Sequence, residues 1–211
     1  MFTGRFAHNT TVVDNNVPSS FDQTTTLQYQ LQQLGYHTAI VGKYLNGFEG
    51  PPPYFDLHDV FAGYTYDDGT YATVHLWQRA VEYLNTFEQT DETPWLMYVT
   101  PFAPHPDAVP QTKYAQAPVP PWEDTPSRTE ADLSDKPAVI QKQSGQVSLA
   151  TIQKLRQRMI RTLYSVDDAA EQIFAQLDAL GEGNTIAFSP TTATSGTRTG
   201  STPRGFPTTR R

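Results

Sequence analysis

The 211 residues contain no cysteine. Disulfide bonds, thiolate metal ligands and a cysteine nucleophile are therefore excluded within this sequence. Long apolar runs are also absent, and no stretch approaches the roughly 18 consecutive apolar residues of a membrane-spanning helix. We therefore predict no membrane span. The first residues, Met1 to Arg5, lack the charged and apolar regions of a secretory signal peptide.

Basic residues are outnumbered by acidic ones, and the formal net charge is −7. This charge argues against general nucleic-acid binding, which requires a basic surface. The charge is unevenly distributed, because residues 189–211 hold four arginines, eight threonines and no acidic residue. We therefore predict two regions, a partial domain over residues 1–188 and an aberrant, disordered tail over residues 189–211.

Apolar residues alternate between helical spacing and short continuous runs. The helical spacing predicts helices over about 24–35, 72–89 and 148–180. The continuous runs predict strands over 37–41, 94–102 and 184–188. In the second helix the predicted buried face consists of Val74, Trp77, Val81, Leu84 and Phe87.

The two segments over 50–71 and 106–147 are rich in proline and polar residues, so we predict that they are loops. Alternation of helix and strand is typical of an α/β fold with a mostly parallel sheet covered by helices. Lys43 and His105 both follow predicted strands. Because functional loops lie beyond the carboxyl ends of parallel strands, both side chains could reach one crevice.

Four segments resemble, in this order, conserved stretches of type I sulfatases in the alkaline-phosphatase-like superfamily. They are Thr3-Gly4-Arg5 with His8-Asn9, Leu34 to Asn46, Pro101 to Pro106, and Leu163 to Asp168 with Asn184-Thr185-Ile186. The resemblance covers roughly residues 1–188 and implies that they are part of a sulfatase N-terminal catalytic domain. The G-K-Y-L-N and S-V-D-D stretches are most similar to the glucosamine-6-sulfatase branch. The implied fold is a partial, truncated alkaline-phosphatase-like α/β sheet.

The resemblance implies hydrolysis of sulfate esters, with a sulfated carbohydrate as the substrate of an exported or secreted parent protein. Such enzymes use a formylglycine made from the cysteine of a C-x-P-S-R motif, together with a calcium ion. That motif precedes the T-G-R stretch in the family and does not occur in these 211 residues. We therefore expect no cofactor in this chain, although calcium belongs to the intact family, and we expect the chain to be catalytically inactive alone.

Three residues match positions that contact substrate in the family. Lys43 would bind a sulfate oxygen and the nucleophile, because an ammonium stabilises developing negative charge. His105 would bind a sulfate oxygen or protonate the leaving alcohol. Asn46 would donate a hydrogen bond to substrate. Without the resemblance, a solvated lysine closing a turn and a surface histidine would explain Lys43 and His105.

Asp167 and Asp168 form an adjacent acidic pair within the third predicted helix. Neighbours on a helix point about 100° apart, so the two carboxylates cannot converge on one reacting atom. We therefore predict a structural role in capping or packing.

In the family, an S-D-N-G stretch follows the segment that matches Asn184-Thr185-Ile186. This chain instead has Ser189 and Pro190 followed by threonines. Threonine codons are A-C-N, and a reading frame moved back by one base can turn residues 191–194 into Asp-Asn-Gly-Tyr. We hypothesise a frameshift near Phe188; a natural low-complexity tail is the alternative. The coding DNA decides between them.

Three functions remain open from the sequence. The chain could derive from a sulfuric ester hydrolase, serve as a non-catalytic module that binds sulfated glycans, or belong to a phosphate-ester hydrolase of the same superfamily. An arylsulfate turnover assay and a binding assay on the purified chain separate the first two of these functions.

Overall fold

The structure of the protein is a computed structural model that describes residues 2–12, 14–16, 20–90, 92–124, 130–141 and 148–187. The predicted tail over residues 189–211 lies outside the described residues. Three strands are present in the described part of the chain: β1 (His37–Gly42), β2 (Leu57–Val60) and β3 (Trp95–Thr100). The α-helices are α1 (Leu27–Gln33), α2 (Ala72–Phe87), α3 (Ala138–Gln141) and α4 (Leu149–Leu180).

The three strands form a parallel sheet in the order β2-β1-β3. Ala39 in the central strand pairs with Leu57 on one side and Met97 on the other. From its second residue onward β1 is buried throughout, because a parallel strand in the middle of a sheet is covered on both faces. The predicted parallel α/β sheet and the predicted first strand are confirmed.

Alternate side chains of β1 supply two cores. Ala39 and Val41 pack on one face in a cluster with α2. Ile40 points to the opposite face and packs with Tyr44 and Phe55, where residues from the loops rather than a long helix complete the cluster. The sheet is therefore covered on both sides, with its largest helical contact on the α2 side.

The helix predicted over 72–89 is confirmed as α2, but its predicted buried face is partly wrong. Leu84 and Phe87 are buried as expected, whereas Val74, Trp77 and Val81 are only half-buried. The residues that reach the sheet are Leu76, Ala80, Tyr83 and Phe87. The buried face differs from the prediction because α2 lies between the sheet and α4. Residues on the side of α2 that faces α4 are therefore covered as well, whether they are apolar or polar.

The loop predicted over 50–71 contains β2, so that prediction is wrong for residues 57–60. The carboxylate of Asp56 accepts hydrogen bonds from the Thr38 amide at 2.8 Å and its hydroxyl at 3.0 Å. The Asp56 amide donates in return to the Thr38 carbonyl at 2.9 Å. These bonds fix the register of β2, whose alternate residues His58 and Val60 remain exposed. A four-residue edge strand with half of its side chains exposed has no apolar run for sequence analysis to detect.

The third predicted helix is confirmed as α4. The Ser148 hydroxyl accepts from the Thr151 amide at its start, and Gly181 ends it in the left-handed conformation with φ of 83°. The strand predicted over 184–188 is wrong for the described residues 184–187, which form a turn and irregular backbone. Ile186 is 91% exposed, since no described strand lies beside it to pair with its backbone and cover its side chain. No helix among the described residues is long and apolar enough to cross a membrane.

Candidate functional site

The loops after β1 and β3 leave the sheet side by side. The Lys43 amide donates to the Thr100 carbonyl at 2.8 Å, continuing the β1–β3 pairing beyond β1. Gly42 makes this exit possible, with φ of 103°. A Cβ atom there would stand 2.2 Å from the Thr100 carbonyl oxygen and 2.9 Å from Leu76 Cδ1. Only glycine fits this position, and it places Lys43 at the carboxyl edge of the sheet.

Lys43 and Asn46 line a cavity of about 300 Å³, which continues to the end of β2 at Val60 and Phe61. Among the described residues that line it, Lys43 carries the one charged side chain, and most of the others are apolar, aromatic or glycine. The side-chain nitrogen of Asn46, Nδ2, donates to Asn15 Oδ1 at 2.9 Å. The structure therefore brings two of the three predicted site residues into one concave surface.

His105 stands in the loop after β3, next to the same edge of the sheet but outside the lining of this cavity. Its side chain is 41% exposed, and Nδ1 lies 3.4 Å from the exposed Asp107 carboxylate. Phe102 connects it to Lys43: the imidazole stacks on the Phe102 ring with centroids 4.5 Å apart, and Lys43 Nζ lies 5.5 Å from the centroid of that ring. Lys43 and His105 thus lie at one edge of the sheet, on either side of a shared contact with an aromatic ring. The lining of the cavity includes Lys43 and not His105, so their meeting in one crevice stays a prediction.

The loop that carries His105 is anchored through its backbone. The His105 amide donates to the Phe102 carbonyl at 3.0 Å, and the His105 carbonyl accepts from the Ala108 amide at 2.9 Å. The same carbonyl accepts from Tyr64 Oη at 2.8 Å. Burial raises the pKa of Tyr64 to about 12, so the phenol keeps its proton at neutral pH and remains a donor.

Asp167 and Asp168 lie on α4, as predicted, and Asp168 makes packing contacts. Its carboxylate accepts from Tyr114 Oη at 2.7 Å and pairs with Lys113. Burial alone would raise the pKa of Asp168, but the hydrogen bonds from Lys113 and Tyr114 outweigh it and lower this pKa. Burial, followed by the charge of Asp168, raises the pKa of Asp167. Asp168 thus ties α4 to the turn at Thr112–Tyr114, in agreement with the predicted structural role.

A second polar cluster was missed by sequence analysis. Asp59, in β2, accepts from His75 Nε2 at 2.7 Å and from Arg79 Nε at 3.1 Å. Tyr66 stacks on the His75 imidazole with ring centroids 3.4 Å apart. The cluster joins β2 to α2, and Phe61, which lines the cavity, packs edge to face against Tyr66 and His75. No local signal reveals it, because the acceptor lies in a segment whose sequence indicates a loop.

The resemblance implies a calcium ion, which requires several carboxylate or carbonyl oxygens at one point. In the part of the chain that the structure describes, no group of three or more His, Asp or Glu side chains is arranged to hold a metal ion. These side chains by themselves therefore do not fit the calcium site of the family.

Comparison with known proteins extends these observations. An arylsulfatase of Volvox carteri is 27% identical over an alignment of 238 positions that covers 86% of this chain and 36% of that protein. The solved structure of BT4656, in complex with its substrate D-glucosamine-2-N,6-O-disulfate, superposes with a TM-score of 0.58 at 19% identity and covers 86% of this chain and 51% of that one. The crystal structure of Ps i-CgsB gives a TM-score of 0.59 at 16% identity, covering 86% of this chain and 43% of the other.

At these identities the superpositions establish the fold, and they confirm the predicted alkaline-phosphatase-like α/β architecture. The chain spans about a third of the length of the arylsulfatase and about half the length of the solved structures. The family model described as Sulfatase matches residues 1–189, a range that includes every residue the structure describes. The chain therefore belongs to the Sulfatase family.

Proposed function

We propose that this chain forms part of a hydrolase of sulfate esters on sulfated sugars, and that Lys43, Asn46 and His105 contact the sulfate ester. One observation carries the proposal. In a chain of the Sulfatase family, the one charged side chain among the described lining residues of the cavity is a lysine, and a histidine shares its aromatic neighbour. A cation in a mostly apolar cavity attracts an anionic group more strongly than the same cation in water.

Each residue has a distinct task in this proposal. The Lys43 ammonium donates to a sulfate oxygen and stabilises the charge that builds up as the ester bond breaks. The Asn46 side chain donates a hydrogen bond but cannot transfer a proton. A protonated His105 passes its proton to the ester oxygen, so that the sugar leaves as a neutral alcohol and the imidazole becomes neutral. In the family a formylglycine supplies the attack on sulfur.

The sugar part of the proposal rests on the shape and lining of the cavity. Tyr44, Phe48 and Phe61 contribute to its wall beside the polar Lys43 and Asn46. Apolar and aromatic surface with a few polar groups is typical of pockets for small molecules. The structurally similar BT4656 was solved with a disulfated glucosamine, which supports a sulfated amino sugar as the first ligand to test.

We propose further that these 211 residues bind substrate without turning it over. They contain no cysteine from which a formylglycine could be made, and the described residues do not form a metal cluster. Binding without turnover is also the behaviour of a glycan-binding module, so the turnover assay must be run on the same sample as the binding assay.

Calorimetric titration of the chain with D-glucosamine-2-N,6-O-disulfate tests the proposal, with unsulfated glucosamine as the ligand control. Replacing Lys43 or His105 by alanine should weaken binding by at least about tenfold, because each removes a charge-assisted hydrogen bond. Lys154, an exposed lysine on α4, provides the matched control, and Lys154→Ala should bind as the unaltered chain does.

The outcomes separate the candidate functions. Equal binding of sulfated and unsulfated sugar, or an unchanged affinity in Lys43→Ala, contradicts the proposed site. Tighter binding of glucosamine 6-phosphate than of the 6-sulfate would favour a phosphate-ester hydrolase. Release of 4-nitrophenol from its sulfate ester by the chain alone would contradict the proposed lack of turnover.

A further inference from the structure

Phe102 is the residue on which the two proposed sulfate-binding cations meet. The Lys43 ammonium lies 5.5 Å from the centroid of its ring, and the His105 imidazole stacks on it at 4.5 Å with 26° between the ring planes. The face of an aromatic ring carries partial negative charge and attracts cations within about 6 Å. Both contacts are therefore of a kind that holds a positive group in place.

The ring itself is fixed by Tyr64. The two rings meet edge to face, with centroids 5.2 Å apart and planes 81° apart. The buried Tyr64 also donates to the His105 carbonyl at 2.8 Å. One phenol thus orients the Phe102 ring and holds the backbone of the residue stacked on that ring.

Two cations that bind the same sulfate repel each other until the anion arrives. The Asp107 carboxylate lies near His105 Nδ1, but the Phe102 ring contacts both cations. Its negative face can hold them close to one another in the empty site and, unlike a carboxylate, it does not compete with sulfate. Among the contacts of the described residues, Phe102 is the group that touches both Lys43 and His105.

We propose that Phe102 is a positioning residue of the sulfate site, whose ring face keeps the Lys43 ammonium and the His105 imidazole together at the carboxyl edge of the sheet before substrate binds. This inference rests on the proposed function. It assigns to Phe102 a role that neither its position two residues after β3 nor its apolar character indicates.

The alternative is that Phe102 only fills space between the loops. Substitution of Phe102 by leucine distinguishes this packing role from the positioning role. Phe102→Leu keeps most of the apolar volume but removes the ring face, whereas Phe102→Tyr keeps the face. Trp95→Leu is the matched control, because Trp95 lies at the opposite, amino end of β3 and stacks on Phe87. It removes an aromatic ring from β3, the strand that precedes Phe102, and the contacts of Trp95 do not include Lys43 or His105.

Two measurements on the full 211-residue chain test the proposal. The first is the dissociation constant for inorganic sulfate, which Phe102→Leu should raise by about two- to fivefold, the strength of an exposed cation–π contact. The second is the upfield ring-current shift of the His105 imidazole protons in the NMR spectrum. Phe102→Tyr should preserve both values, and Trp95→Leu should leave both unchanged.

Unchanged sulfate affinity in Phe102→Leu overturns the inference, as does an equal loss in Trp95→Leu, which would reflect stability alone. If the unaltered chain binds no sulfate, the proposed function fails, and the ring-current shift decides the inference separately. A shift that is present in the unaltered chain and kept in Phe102→Tyr then supports the stacking on which the positioning role depends, and its absence from the unaltered chain refutes that role.

Discussion

Replacing Gly42 by alanine tests how the backbone at the end of β1 positions Lys43. Gly42 has φ of 103°, and a left-handed conformation costs an L-residue roughly 1–2 kcal/mol. Alanine would also bring its Cβ to 2.2 Å from the Thr100 carbonyl oxygen. That oxygen belongs to the backbone of β3 and accepts the Lys43 amide, so it cannot move aside as a flexible side chain would.

The expected loss of stability combines three effects. Beyond the strain of the left-handed conformation, separating β1 from β3 weakens one backbone hydrogen bond, at about 1 kcal/mol. Overpacking between Leu76 and the sheet adds roughly 1–3 kcal/mol. The free energy of unfolding should therefore fall by about 3–6 kcal/mol, a large fraction of the roughly 5–15 kcal/mol of a typical domain.

Gly63 is the matched control for this substitution. Its φ of 116° is similar, but a Cβ atom there would have no atom within 4 Å, so Gly63→Ala should cost only the conformational strain of about 1–2 kcal/mol. Urea unfolding followed by tryptophan fluorescence measures both variants. If Gly42→Ala proves no less stable than Gly63→Ala, the close approach of β3 does not constrain this position and the reasoning is wrong.

The remaining predictions concern contacts that join the elements around the site. Asp59→Ala should lower the free energy of unfolding by about 1.5–3 kcal/mol, because His75 and Arg79 lose their shared, partly buried acceptor; a loss of less than about 0.5 kcal/mol in urea unfolding, the size of a typical surface substitution, would contradict this role. Tyr64→Phe should cost about 1 kcal/mol through the lost bond to the loop carbonyl, and it should also weaken sulfate binding; unchanged stability would show that this bond is not formed. The pKa of Asp168 is lowered from 3.8 in the folded protein, so its carboxylate stabilises the fold above the unfolded pKa, and this contribution disappears as the pH falls through the lowered value. Asp168→Asn should therefore reduce the loss of thermal stability on acidification below about pH 4. If the melting temperatures of both proteins fall equally as the pH is lowered, this contribution is excluded.

Much of the framework around the site could be predicted from local patterns. The continuous apolar run of β1 and the helical periodicity of α2 and α4 are properties of neighbouring residues, so the three elements lie where they were predicted. The placement of Lys43 and His105 after parallel strands also follows from order along the chain, because parallel strands end at the same edge.

Contacts between distant residues determined the rest. Asp56 bonds to Thr38 and turns a proline-rich segment into an edge strand, while residues 184–187 have no such partner and remain irregular. The meeting of Lys43 and His105 on Phe102 depends on the pairing of β1 with β3. The amino-acid sequence alone thus determined the family, the main elements and the candidate residues Lys43 and His105 for the proposed site. The tertiary structure decided which of them meet, because sheet pairing and ring contacts depend on residues that are far apart in the chain and carry no local periodicity.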